Sequence, residues 1–231
     1  MRRLFPHPAG AAGTVTVRDA YDVPRPATAG RPWLAVCMVA SMDGSTVVDG
    51  RSRALSSPAD QDVLLTMRSL VDAVLVGAGT VRQEGYGVPR VPHLKVIVVS
   101  RSGAGMDFDA PLWQSGRAWL ALPADGPQVP VPTLRAGLGE VDLASILRLA
   151  TGELGARVVQ AEGGPSLNGA LLAADLVDEV NLTVAPLLAG GDGPRLTTGA
   201  PDRLLRMRLA HVLEDDGFLF TRYVRRDAAR P

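Results

Sequence analysis

Cysteine is nearly absent from this sequence of 231 residues: Cys37 stands alone. No disulfide can close within the chain, and no Cys-x-x-Cys metal site can form, so a cystine-stapled scaffold and cysteine-held structural zinc are excluded. Net charge is absent as well, because 24 Lys plus Arg face 24 Asp plus Glu. Without an excess basic field there is nothing to attract a nucleic acid, and no nucleic-acid partner is expected. Long apolar runs are missing too, none approaching the roughly 18 residues that span a bilayer. Pro6, Pro8 and Gly10 interrupt the stretch after Arg2 and Arg3, so no signal peptide is read there. The sequence thus reads as soluble and cytoplasmic, with no membrane partner. His7, His93 and His211 are too scattered for metal-ligand spacing, and no metal is expected. Lysine is confined to Lys95, which coding bias explains.

What is present is ordinary globular matter: 46% hydrophobic and 21% charged residues, enough for one core. Residues 1 to about 30, rich in Pro, Ala and Gly, read as an arm that wraps the domain or is loosely ordered; residues 31–227 form the domain. Apolar runs at 33–40, 73–77, 94–100, 118–122 and 157–161, broken only by Lys95, Ser100, Arg157 and Gln160, predict strands buried on both faces. Ser57-Pro58-Ala59-Asp60 supplies an N-cap, a proline at the first helical position and a first-turn acid, opening a helix to about Leu70. Asp142 caps a second helix and Pro165 to Asp175 forms a third. This alternation predicts an α/β fold with a mixed, mostly parallel sheet flanked by helices. The segment 178–184 alternates with period two, and 206–213 and 218–224 meet across Asp216-Gly217 as an antiparallel hairpin.

Ligands of such sheets bind beyond the carboxyl ends of the strands, so residues just after each strand are the informative ones. Ala40-Ser-Met-Asp43-Gly44 leaves the first strand, with Asp43 a candidate catalytic carboxylate. Gly77-Ala-Gly79-Thr80 places free N–H groups and a hydroxyl where a phosphate would dock. Glu162-Gly163-Gly164-Pro165-Ser166-Leu167-Asn168 again joins strand to helix; its glycines admit a ligand to the backbone, while Glu162 would repel a phosphate and so faces another group. Ser100-Arg101 suits a ribose 2′-phosphate, and Arg68 with Ser52 a substrate phosphate. The dinucleotide fingerprint fails where Arg82 stands, and no Walker loop or Gly-x-Ser-x-Gly elbow occurs.

In this order, Met38-Val-Ala-Ser-Met-Asp-Gly44, Leu55-Ser-Ser-Pro58, Leu75-Val-Gly-Ala-Gly-Thr80, Ala161-Glu-Gly-Gly-Pro-Ser-Leu-Asn-Gly-Ala-Leu-Leu172, Asp178-Glu and Val184-Ala-Pro186 resemble the reductase domain of riboflavin biosynthesis. That domain is the C-terminal half of bifunctional deaminase-reductases and is related in fold to dihydrofolate reductase. The resemblance covers roughly residues 33 to 225. It implies NADPH against Ala40, Thr80, Glu84, Ser100, Arg101 and the turn from Gly163 to Asn168. It implies a phosphorylated small-molecule substrate near Ser52, Arg68, Val88, Arg90 and Glu162, with Glu162 and Asp43 as the catalytic candidates. The implied reaction is hydride transfer to C1′ of a ribosylamino-pyrimidinone 5′-phosphate, in a homodimer. Two positions depart from the family's pattern: Ala54 replaces a frequent tryptophan, and Glu84 an aspartate. A zinc deaminase half needs cysteines this chain does not have.

Three readings stay open on the residues: that reductase, a reductase of the same fold on another substrate such as dihydrofolate, and a non-catalytic NADPH-binding protein. Dihydrofolate reductases hold the pterin with a buried carboxylate, for which Asp43 or Glu162 would serve. Retention of Ser52, Arg68 and Glu162 argues against a pure binding module.

Overall fold

In the computed structural model, which describes residues 1–6, 13–26, 28 and 30–226, the apolar runs become one sheet. In chain order the elements are β1 (Arg2–Phe5), α1 (Val17–Tyr21), β2 (Trp33–Ser41), α2 (Pro58–Leu70), β3 (Ala73–Gly77), α3 (Ala78–Glu84) and β4 (Lys95–Val99). There follow α4 (Pro111–Gln114), β5 (Ala118–Leu122), β6 (Thr133–Arg135), α5 (Leu143–Leu154), β7 (Val158–Ala161), α6 (Pro165–Ala173), β8 (Glu179–Ala185), β9 (Met207–Asp215) and β10 (Phe218–Arg225). The strand order is β1-β9-β10-β8-β2-β7-β3-β4-β5-β6. Neighbours from β8 to β6 are parallel, and β10, β9 and β1 add on antiparallel. The expected mixed, mostly parallel sheet with an antiparallel end is the one found.

Continuous apolar strands send alternate side chains to opposite faces, and each face here has its own helices. Ala35, Val74, Val76, Val96 and Val98 pack with α1, α2 and α4 through Tyr21, Met67 and Trp113. Leu34, Leu75, Ile97 and Val159 pack with α5 and α6 through Ile146, Leu147 and Leu171. The caps fall where the sequence puts them: Ser57 accepts from the Asp60 N–H, and Asp142 from the Ser145 N–H. Asp216 (φ 48°) and Gly217 (φ 79°) turn the β9–β10 hairpin in the left-handed region that tight hairpins require.

Before residue 30, the described segments 1–6 and 13–26 pack onto the domain. β1 pairs with β9, and Tyr21 of α1 is fully buried, edge-on to His211. Apolar Val17, Ala20 and Tyr21 outweigh the Pro and Gly around them, burying the short helix against the sheet. His7 and Asp227 lie outside the described residues. Arg25 then runs under the sheet to Glu179, which also accepts from Arg222, Trp33 Nε1 and Asn181 Nδ2. Burial alone would push the Glu179 carboxyl up; Arg25 and Arg222 reverse this and hold it at about 2.

A buried charge cluster is costly to break by removing one partner. Arg25→Ala is expected to lower stability in urea by about 3 kcal/mol, since it strands part of the Glu179 charge. The depressed Glu179 pKa stabilises the fold above the unfolded value near 4.5 and that contribution is lost as pH falls towards 2. The stability gap between the native protein and Glu179→Gln should therefore be flat near neutrality and narrow in acid, as read by denaturant titrations across pH.

Candidate active site

Two cavities open at the carboxyl ends of the parallel strands, and they share a wall at Thr80, Gln83, Gly164 and Pro165. The first, about 750 Å³, is lined by Ala78 and Gly79, Ser100 and Arg101, and Ser166 and Leu167. Neither Gly77, which precedes α3, nor Gly164, which precedes α6, offers a side-chain cap, so the N–H groups of both helix starts are left for another acceptor. Gly164 is needed for proximity: a Cβ there would sit 3.0 Å from Thr80 Oγ1. Gly163 lies behind this wall, its carbonyl accepting from the Gly77 N–H at 2.7 Å. Its φ of +86° and the Met38 sulfur, 2.9 Å from where a Cβ would stand, exclude any side chain.

The second cavity, about 860 Å³, lies between β2 and α2 and is lined by Ser52, Arg53, Asp60, Arg68, Glu84, Val88, Arg90 and Glu162, among others. At its wall Glu162 is saturated. Its Oε1 accepts from Arg68 Nε at 2.8 Å and Gln160 Nε2 at 2.7 Å; its Oε2 accepts from Arg68 Nη2 at 2.6 Å and, in a very short bond, from the Tyr86 hydroxyl. A carboxylate has about four lone-pair sites, and all are engaged. Arg68 also reaches the Tyr86 oxygen at 2.7 Å and lies over the Tyr86 ring, which leaves Nη1 as its edge without a partner among the described residues. Burial opposes the Arg68 charge, yet Glu162 more than offsets this and raises its pKa. Burial first, then Glu162, pushes Tyr86 well above the usual phenol range, so it stays a donor. The same two influences raise Cys37, which lines this cavity as a neutral thiol.

Thr80, Ser100, Arg101, Gly164, Pro165, Ser166 and Leu167 line the first cavity, and Ser52, Arg68, Val88, Arg90 and Glu162 the second. Glu84 falls in the second cavity, where its Oε1 accepts from the Ser52 N–H and hydroxyl, not beside Ser100 and Arg101. Asp43 stands apart from both groups. It lines neither cavity; Ser41 Oγ and the Ala189 and Gly190 N–H groups engage its carboxylate, hold its pKa at about 2, and tie the turn after β2 to the segment after β8. Ala40 is buried in β2 opposite Val184 and also lines neither cavity. Asn168 turns away as well, donating to the Leu196 carbonyl on the side of α6 that the 196–200 loop covers. Tyr86, Gln160 and Asp60 were not foreseen as site residues. Gln160 carried a signal, being the one polar residue of the strand Val158–Ala161; Tyr86, between Gly85 and Gly87, carried none.

Residues 32–219 match the family described as RibD C-terminal domain. The chain belongs to this family. The riboflavin biosynthesis protein RibD of Escherichia coli is 29% identical over 193 residues, which cover 73% of this chain and 52% of that protein. The chain thus spans about half the length of that curated RibD relative. A 2,5-diamino-6-ribosylamino-4(3H)-pyrimidinone 5′-phosphate reductase of Methanothermobacter thermautotrophicus is 26% identical over 208 residues, covering 80% of this chain and 95% of the relative. A pyrimidine reductase-like protein of Corynebacterium diphtheriae shares the fold, with a TM-score of 0.77 at 22% identity over 94% of this chain and all of that one. Among the described residues of this RibD-family chain, no helix is long and apolar enough to cross a membrane.

Glu162→Gln replaces an acceptor pair with an amide that faces donors, leaving the Arg68 charge without its counterion. The expected loss in urea denaturation is about 3 kcal/mol. Tyr86→Phe removes two hydrogen bonds, the one given to Glu162 and the one accepted from Arg68, and should cost about 2 kcal/mol in the same assay.

Proposed function

We propose that this chain is an NADPH-dependent reductase that converts a ribosylamino-pyrimidinone 5′-phosphate to its ribitylamino product, on the riboflavin route. The observation that carries the reading is the shared wall: a cavity of phosphate-binding character meets one lined by arginines and serines at Thr80, Gly164 and Pro165. The names of the relatives, RibD and pyrimidinone 5′-phosphate reductase, support the substrate.

The first cavity suits the cofactor. Uncapped N–H groups at the start of α6, the Cβ-free approach at Gly164 and the Thr80 hydroxyl would take the pyrophosphate. Ser100 and the exposed guanidinium of Arg101 would take the 2′-phosphate that distinguishes NADPH from NADH. When bound, the dihydronicotinamide supplies the hydride, and the protein's own task is placement. Reduction at C1′ would break the C1′–O4′ bond and leave O4′ protonated as the sugar opens. In the second cavity Arg53 and Arg90 have no ion-pair partner among the described residues; with Ser52 and the free Nη1 edge of Arg68 they would hold the substrate phosphate. Glu162 fixes the plane of that guanidinium.

The same reading places the enzyme in the cytoplasm as a homodimer. On the sheet face that carries Val180, Leu182 and Val184 of β8, their cross-strand neighbours Tyr223, Thr221 and Leu219 are paired with them, and Leu219 is 37% exposed. A second copy would cover this apolar face, and light scattering should then return twice the mass of the chain.

The direct test is loss of dihydronicotinamide absorbance when purified protein meets NADPH and the ribosylamino-pyrimidinone 5′-phosphate. Turnover is expected. Arg101→Ala should raise the KM for NADPH about tenfold, the loss of one charge-assisted bond, and leave that for NADH unchanged. Binding of NADPH with no turnover of this substrate would overturn the reading.

A further inference from the structure

Part of what holds α2 in place comes from ahead of the region that matches the family. That match begins at residue 32, and before it lie α1 and Arg25. The Arg25 side chain is 3% exposed. Its guanidinium goes to three fixed points. Nε and Nη2 donate to the Glu179 carboxylate at 3.1 and 2.9 Å, Nη1 donates to the Tyr21 carbonyl at the end of α1 at 3.0 Å, and Nη2 also meets the Met67 sulfur of α2 at 3.5 Å. Glu179 has Arg222 as a counterion already, and Trp33 and Asn181 donate to it as well. A second buried guanidinium is thus more than one carboxylate needs for neutrality, and taking it out of water is costly. What Arg25 adds is position: one planar fork ties the sheet at β8, the end of α1 and the inner face of α2 together.

The inner face of α2 matters because other residues of the same helix, Gln61, Leu64, Leu65 and Arg68, line the second cavity. Met67 is fully buried and shares a core with Val63 of α2 and with Val17, Ala20 and Tyr21 of α1. The next residue in the helix is Arg68. The helix is therefore held at two adjacent positions: Glu162 takes Arg68 from the end of β7, and Arg25 meets Met67 from the side of α1. We propose that Arg25 is a positioning residue of the active site, which holds α2, and Arg68 with it, at the distance from β2 that the substrate requires. The inference deepens the proposed reductase function and rests on it for the second cavity being the substrate side. The placement of α2 itself is tested apart from any substrate.

Two variants keep Glu179 neutralised. Arg25→Lys retains the charge but gives up the fork, while Met67→Leu retains the volume and every ion pair but removes the sulfur that Arg25 touches. Arg31→Lys is the control: Arg31 grips Asp178 at 2.6 and 2.9 Å and makes no bond to α2 among the described residues. The first readout is kinetic. Arg25→Lys should raise the KM for the ribosylamino-pyrimidinone 5′-phosphate about tenfold and Met67→Leu about threefold, with the KM for NADPH unchanged in both. Arg31→Lys should lower the melting temperature and leave both KM values as in the native protein. The second readout needs no substrate. Cys37, the only cysteine of the chain, lies on β2 and lines the second cavity, so its labelling by methyl methanethiosulfonate, followed by mass spectrometry, reports the gap between β2 and α2. Labelling should quicken at least about threefold in Arg25→Lys and Met67→Leu and keep the native rate in Arg31→Lys. Native labelling in Arg25→Lys and Met67→Leu overturns the proposal, and so does an equal rise in Arg31→Lys, which would mean general loosening. A substrate KM that stays native in Arg25→Lys and Met67→Leu overturns it too. If Arg25→Lys does not fold, Met67→Leu decides by the same readouts. No turnover of the substrate, with Cys37 labelling quickened as expected, sinks the riboflavin-route reading while the role of Arg25 stands.

Discussion

The site is organised by one carboxylate that is fully engaged by its own protein. Glu162 sits at the end of β7 and draws Arg68 from α2, Tyr86 from the turn after α3 and Gln160 from β7 itself onto its two oxygens. Each donor comes from a different part of the chain, so the bonds fix how α2 and the α3–β4 connection stand over the sheet. In a partly dry setting such a network is worth having only if it is complete, and on the Glu162 side it is. What a substrate meets is then a rigid wall with the Arg68 Nη1 edge left over, rather than a free acid.

From this wall comes the division of the active site. The chain leaves Glu162 through Gly163 and Gly164 into α6, and the missing side chains let that turn lie against Gly77 and Thr80. The same two residues after Glu162 therefore close one cavity and open the other. Uncapped helix-start N–H groups, Ser100 and Arg101 collect on the α6 side, while Ser52, Arg53, Arg68 and Arg90 collect on the α2 side. A donor and an acceptor of hydride held on either side of Thr80 and Gly164 would meet across it, which is the placement the proposed reaction asks of the protein.

Much of this was legible in the sequence, for identifiable reasons. Apolar runs such as Ala73–Gly77 can only be strands covered on both faces, and Ser57-Pro58 and Asp216-Gly217 specify a helix start and a hairpin by local chemistry. The residues just after β3, β4 and β7 line the cavities because those strand ends lie side by side in an open α/β sheet. What escaped were properties of contact. Asp43 carries the motif of a catalytic acid, yet backbone N–H groups from Ala189 and Gly190, far away in sequence, engage it. Tyr21 and Arg25 lie in a stretch whose composition leaves open whether it wraps the domain or is loosely ordered, and Glu179, far along the chain on β8, bonds Arg25.

The account turns on Glu162 being an anchor and not a ligand of the substrate. A crystal structure with NADPH and the ribosylamino-pyrimidinone 5′-phosphate both bound tests this most directly. The account predicts that Arg68, Tyr86 and Gln160 keep their bonds to Glu162 and that the cofactor and C1′ face each other across Thr80 and Gly164. Arg68 swung away to the phosphate, with Glu162 freed and bonded to the pyrimidine, would contradict it.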